Sequence, residues 1–142
     1  MIPLGSAEER GKMKLILPIY YEQVFKTKKN KTILVNMTWY RNAHYQISNK
    51  VKAHYHDLVK EQCTNEQFNN PLIHYKIYAK RKGTDGGNIR SVIEKFVLDG
   101  LVEVGVIPDD TIKYVSKDMS EYFYDKENPR AEIYLTERGY DE

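Results

Sequence analysis

Cysteine is nearly absent. The one thiol, Cys63, has no second cysteine to pair with, so no disulfide can close within the chain and the cytoplasm is the expected compartment. Long apolar runs are missing too: none approaches the ~20 residues that a membrane-spanning helix needs, and no membrane partner is expected. Residues 1–12 lack the basic start and apolar stretch of a secretory signal, and read as a polar, flexible lead before a domain spanning 13–142. Internal repeats are absent. The four histidines, His44, His54, His56 and His74, are not spaced for zinc, since His54 and His56 lie two apart and point differently on a helix. At 142 residues the chain has room for one core rather than two.

What is present is unevenly charged. Between Lys12 and Lys60, ten lysines and arginines face only two acids, Glu22 and Asp57. From Glu61 onward the balance reverses, with eleven basic residues against sixteen acids. A basic half joined to an acidic half points to an anionic partner or to self-association through complementary faces. Four lysines crowd six positions at Lys26, Lys28, Lys29 and Lys31 with no apolar period through them, which predicts an exposed loop or hairpin tip.

Hydrophobic spacing predicts strands at Met13–Ile19, Thr32–Met37 and Leu72–Lys80, and a helix from about Ala43 to Gln62. A second helix follows the glycine-rich turn at 82–87. Ile89, Val92, Ile93, Phe96, Val97, Leu101 and Val104 form its apolar face, and Gly105 is placed to stop it. Leu98 and Val102 make a second stripe on that helix, to be covered by the rest of the domain or by another subunit. Further strands are expected at Ile112–Ser116 and Glu132–Thr136, with Glu121–Asp125 as a third candidate. The class is α+β, with a mixed or antiparallel sheet and two main helices.

The stretch from Lys80 to Val115 carries the chemistry. It holds Asp85-Gly86-Gly87-Asn88 at the helix start, Glu94-Lys95 and Asp99-Gly100-Leu101 within the helix, then Gly105 and Asp109-Asp110. This pattern resembles the RusA-like Holliday junction resolvases, in the form found among phage members. The resemblance implies a RusA-like resolvase fold, a homodimer with Leu98 and Val102 at its interface, and Mg²⁺-dependent cleavage of four-way DNA junctions. It implies catalytic roles for Asp85, Glu94, Lys95, Asp109 and Asp110, with Asp85, Asp109 and Asp110 as metal ligands. Hydrolysing a phosphodiester asks for a hard cation held by converging carboxylates, and a nearby lysine to offset charge developing on the phosphate. The family's second aspartate is replaced here by Gly87. The expected function is therefore a binder of branched DNA or structured RNA with weakened or lost nuclease activity. The alternatives are an active Mg²⁺-dependent junction endonuclease and a phage module that engages a host protein.

For phosphate contact the candidates are Lys26, Lys28, Lys29, Lys31, Arg41, Lys50, Lys52, Lys80, Arg81 and Lys82. Tyr20, Tyr21, Phe25, Trp39 and Tyr40 stand among them, available either to stack on unpaired bases or to pack the core. A phage-encoded protein of this kind would act in the host cell's cytoplasm.

Overall fold

A computed structural model of the protein describes residues 11–138. Of the flexible lead expected over residues 1–12, residues 1–10 lie outside the described residues, Gly11 takes a turn whose carbonyl accepts from the Glu137 N–H (2.7 Å), and Lys12 already begins the first strand. The elements run β1 (Lys12–Leu17), β2 (Tyr20–Gln23), β3 (Lys31–Leu34), α1 (Met37–Asn42), α2 (Tyr45–Gln62), β4 (Pro71–Ala79), α3 (Gly86–Glu103), β5 (Lys117–Tyr124) and β6 (Arg130–Glu137). The architecture is α+β, with a mixed sheet and, among the described residues, three helices of which two are long. None of them is long and apolar enough to cross a membrane.

Four strands make the main sheet in the order β1-β6-β4-β5. β6 runs antiparallel to both β1 and β4, and β4 runs parallel to β5, so α3 is the crossover between β4 and β5. β4 alternates strictly: Ile73, Tyr75, Ile77 and Ala79 are buried with Leu15, Leu17, Ile133 and Leu135 on the face that α2 and α3 cover. The opposite face presents polar and aromatic side chains. Glu132 is buried there to 7% exposure, accepting hydrogen bonds from Arg130 Nε (2.7 Å) and the Tyr134 hydroxyl (2.5 Å), with Lys14 Nζ 3.8 Å away.

α3 keeps the predicted face, with Ile89, Val92, Ile93, Phe96, Val97 and Leu101 buried and Val104 only partly so. Gly105 ends it at φ 82°, a left-handed conformation that disfavours other residues. Its N–H donates to the Val102 carbonyl (3.1 Å) and that of Val106 to Leu101 (2.9 Å), the paired bonds of a Schellman cap. Gly100 lets α2 approach closely, for a β-carbon there would stand 3.2 Å from Val59. Leu98 and Val102 are partly buried against the chain's own core.

The expectations fail at four places. Ile112–Ser116 is no strand: Tyr114 and Val115 donate to the Thr111 carbonyl in a turn, and Ile112 is 86% exposed, so its β-branched sequence has nothing to pair with. The last two strands are instead β5, which encloses most of Glu121–Asp125, and β6, and β4 lies between them in the sheet. The strand expected to run to Met37 stops at Leu34, because Asn36 caps α1 by accepting from the Trp39 N–H (2.8 Å). The helix expected from about Ala43 to Gln62 runs Tyr45–Gln62, whereas α1 before it is an additional helix and Tyr20–Gln23 an additional strand that pairs with β3.

Candidate nucleic-acid interface

The lysine run occupies the tip of the β2–β3 hairpin. Asn30 braces that tip, accepting from the Phe25 N–H (3.2 Å) and donating to Glu22 (3.1 Å). Lys26, Lys28, Lys29 and Lys31 are all exposed, and no ion pair among the described residues involves them. Lys28 Nζ rests 4.4 Å from the centre of the Phe25 ring. The hairpin's base is firm: Ile33 and Val35 are buried, Val35 N–H donates to Ile19 (2.9 Å), and Tyr21 meets His54 of α2 edge-on at 5.4 Å.

Beside the hairpin, α1 opens a cleft of roughly 300 Å³ lined by Gln23, Lys31, Trp39, Asn42, His44 and Ile47. Trp39 is half-buried against the core and so shows part of its ring to this cleft. His44 caps α2 through Nδ1, which accepts from the Gln46 N–H (3.2 Å), and its ring stacks on Tyr45 at 4.6 Å. Arg41 on α1 and Lys50 on α2 are exposed. Lys52 is not free, because Nζ lies 3.5 Å from Asp99 and links α2 to α3.

In the loop after β4, Lys80, Arg81 and Lys82 are exposed, and Arg81 and Lys82 share a pocket with Tyr122, Phe123 and Tyr124 of β5. Asn88 of α3 reaches α1: its Oδ1 accepts from the Met37 N–H (3.0 Å), and its Nδ2 donates to Thr38 Oγ1 (3.2 Å). The start of α3 is therefore tied to the start of α1. Lys95 Nζ stands 5.8 Å from the Tyr40 ring, which packs edge-on against Phe96. The hairpin and α1 thus border one cleft with exposed cations around it, and the 80–82 loop forms a separate cationic cluster beside β5.

The acids are arranged differently. Asp85 caps α3, accepting from the Asn88 N–H (3.2 Å), so the positive end of that helix already meets a carboxylate. Glu94 is paired with Arg90 one turn away. Burial pushes the Glu94 carboxyl above its usual range and Asp118 adds to this, while Arg90 opposes it. Asp109 and Asp110 form an exposed turn in which Asp109 accepts from the Asp110 N–H (2.8 Å). Asp85 precedes α3 and Asp109 follows it, and an 18-residue helix is about 27 Å long. Within one chain, then, Asp85, Asp109 and Asp110 do not converge, and no three metal-ligating side chains among the described residues gather to hold an ion. These residues do not fit a magnesium centre in a single chain.

The two glycines at the α3 start differ. A β-carbon on Gly86 would stand 2.2 Å from Tyr122, whereas one on Gly87 would meet only Asp85 and Tyr122 at 3.5 and 3.8 Å. Packing therefore does not exclude a carboxylate at position 87. Sequence reasoning missed the bridge made by Asn88 and the polar lining supplied by Gln23 and Asn42, neither of which leaves a periodic signal. It also missed the cations of the open sheet face, where Lys14 and Lys76 flank the Tyr134 ring and Arg130 covers Tyr78 at 3.8 Å. The β4 alternation places Lys76 and Tyr78 on that face. No protein-family model matches the chain, and no curated protein sequence matches it.

Proposed function

We propose that this protein binds structured nucleic acid, branched DNA or folded RNA, in the cytoplasm, as a RusA-like homodimeric scaffold whose single chain does not assemble a cleavage centre. The observation that carries the reading is the placement of exposed cations free of ion pairs on the hairpin tip and on α1, which line one cleft, with a further cationic cluster in the loop after β4. Lysines and arginines so exposed displace condensed counterions from a phosphate backbone, which drives association without reading sequence. The cleft beside them offers the Trp39 face together with amide and imidazole groups, a combination that accepts an unstacked base. Binding is favoured over catalysis because the acids stand at opposite ends of α3 and Gly87 supplies no carboxylate beside Asp85.

The test is a gel-shift panel at graded salt on a four-way DNA junction, linear duplex, single strands and hairpin RNA, each with and without Mg²⁺. Salt-sensitive retention of the branched or folded species without cleavage is expected. Cleavage that requires Mg²⁺ and disappears in Asp110→Asn would establish a nuclease instead. Failure to retain any of these species at low ionic strength would defeat the proposal and leave engagement of a protein partner.

A further inference from the structure

The helices cover one face of the four-stranded sheet. The other face carries the even-numbered residues of β1, β4 and β6 and the odd-numbered residues of β5, and of these only Glu132 is buried. Both acids of that face are engaged within it. Glu132 is held by Arg130, Tyr134 and Lys14, and Glu121 Oε1 lies 2.6 Å from His74 Nε2. Lys12, Lys76 and Lys117 make no ion pair among the described residues, so the charge left open on the face is positive.

Rings stand among these lysines in two places. Tyr134 donates its hydroxyl to Glu132 two residues back (2.5 Å), so its ring lies along β6 rather than standing off the sheet. Lys14 Nζ and Lys76 Nζ lie 5.3 and 5.1 Å from its centre, one from each neighbouring strand. A cleft of roughly 350 Å³ beside the ring is bordered by Lys12, Lys14 and Thr136. In the second place Arg130, Tyr78 and Phe123 follow one another across β6, β4 and β5. The Arg130 guanidinium lies 3.8 Å from the Tyr78 ring centre, and the two rings stack at 4.8 Å. Phe123 ends this row 39% exposed.

We propose that this open face binds single-stranded nucleic acid, with unpaired bases on Tyr134 and Phe123 and backbone phosphates at Lys12, Lys14 and Lys76. The unpaired lysines select an anion, and the rings between them select one that carries flat groups along its length. Bases inside a duplex are already stacked on each other, so rings on a sheet face reach only unpaired ones. An acidic peptide satisfies the lysines and leaves the rings unused. The hairpin and α1 pack with α2 and α3, across the sheet from this face, so the strand has a site of its own apart from the cleft beside α1. A branched substrate that is partly unwound offers duplex and single strand together, one for each side of the sheet.

Fluorescence anisotropy of the full chain on labelled oligo-dT and on a four-way junction tests this. Oligo-dT is expected to bind, and Tyr134→Leu should weaken it about tenfold, the effect of losing one base–ring stack. Tyr134→Phe keeps the ring without the hydroxyl and should stay within about threefold of wild type. Lys12→Gln with Lys76→Gln should lower the salt slope for oligo-dT by about 1.4, at about 0.7 for each phosphate on a single strand. Junction binding should be unmoved by these substitutions, and replacing the four hairpin lysines should do the reverse. Photo-crosslinking of a bromodeoxyuridine-containing strand to wild type should attach it to β4, β5 or β6, a readout that needs no variant. Oligo-dT left unbound at low salt, binding indifferent to Tyr134→Leu, equal competition by polyglutamate, or cross-links on the hairpin or α1 would each overturn the proposal while leaving the cleft beside α1 as a nucleic-acid site. Oligo-dT binding that survives when the junction is not bound would support this face and count against that cleft.

Discussion

Replacing Lys26, Lys28, Lys29 and Lys31 together with glutamine removes charge from the hairpin tip and leaves its anchors in place, because Ile33 and Val35 stay buried and Val35 still donates to Ile19. Residues 26–31 can span at most ~20 Å when extended. A duplex exposes roughly a dozen phosphate charges over that length, so each lysine can meet one. Every such contact adds about 0.9 to the slope of log affinity against log salt, and losing all four lowers that slope by up to ~3.6. Between about 50 and 200 mM salt one contact changes affinity about 3.5-fold, and four contacts about 150-fold. Wild type should therefore lose up to about 150-fold more affinity across that interval than the variant does. Fluorescence anisotropy of a labelled four-way junction, titrated at a series of salt concentrations, reads both slopes. A variant that binds weakly while its slope stays within about one of wild type would show that these lysines do not meet phosphates.

Adjacent glycines should respond oppositely: Gly86→Ala drives a β-carbon into the Tyr122 ring and should cost about 2 kcal/mol or more, whereas Gly87→Ala meets only ordinary contacts and should gain up to about 1 kcal/mol in urea unfolding. Asn88→Ala leaves the Met37 N–H without its acceptor and should cost about 1–2 kcal/mol, with faster amide exchange confined to α1. Two carboxylates should give stability opposite pH slopes. Glu132 loses some of its proton affinity, because Tyr134, Arg130 and Lys14 outweigh the burial that opposes them; its stabilisation is present above the ordinary carboxylate range and is lost as pH falls through the lowered value. Glu94 is raised by burial, so the folded state holds its proton longer and stability declines as pH rises through the window just above the ordinary glutamate value. Urea unfolding across about pH 3 to 7 should show the acid-side slope flattened in Glu132→Gln and the opposite slope flattened in Glu94→Gln. An unchanged slope in either variant would count against the corresponding environment.

α3 was readable because its buried positions recur at helical spacing and Gly105 supplies the left-handed residue that its cap requires. β4 was readable because both its neighbours are strands and one of its faces meets the helices, so burial alternates along nine residues. The hairpin tip was readable for a different reason: four lysines in six positions cannot be buried, whatever the fold. Helix rise alone also separates Asp85 from Asp109 once a helix is accepted between them, so the distance between the acids was implicit in the sequence.

The elements that escaped share one physical property. α1 has no buried residue and β2 is at most half-buried, and β5, of which only the second half was expected as a strand, has no buried residue either, so none of them carries the contrast between a wet and a dry face that periodicity detects. The sequence Met119 to Tyr124 shows this well: its apolar side chains fall on both faces and none is fully buried, which spoils the two-residue alternation. A surface that waits for a partner must keep its apolar and cationic groups exposed, and exposure is what erases the pattern. The candidate interface at α1 was therefore the hardest part to read from spacing for the same reason that makes it a candidate.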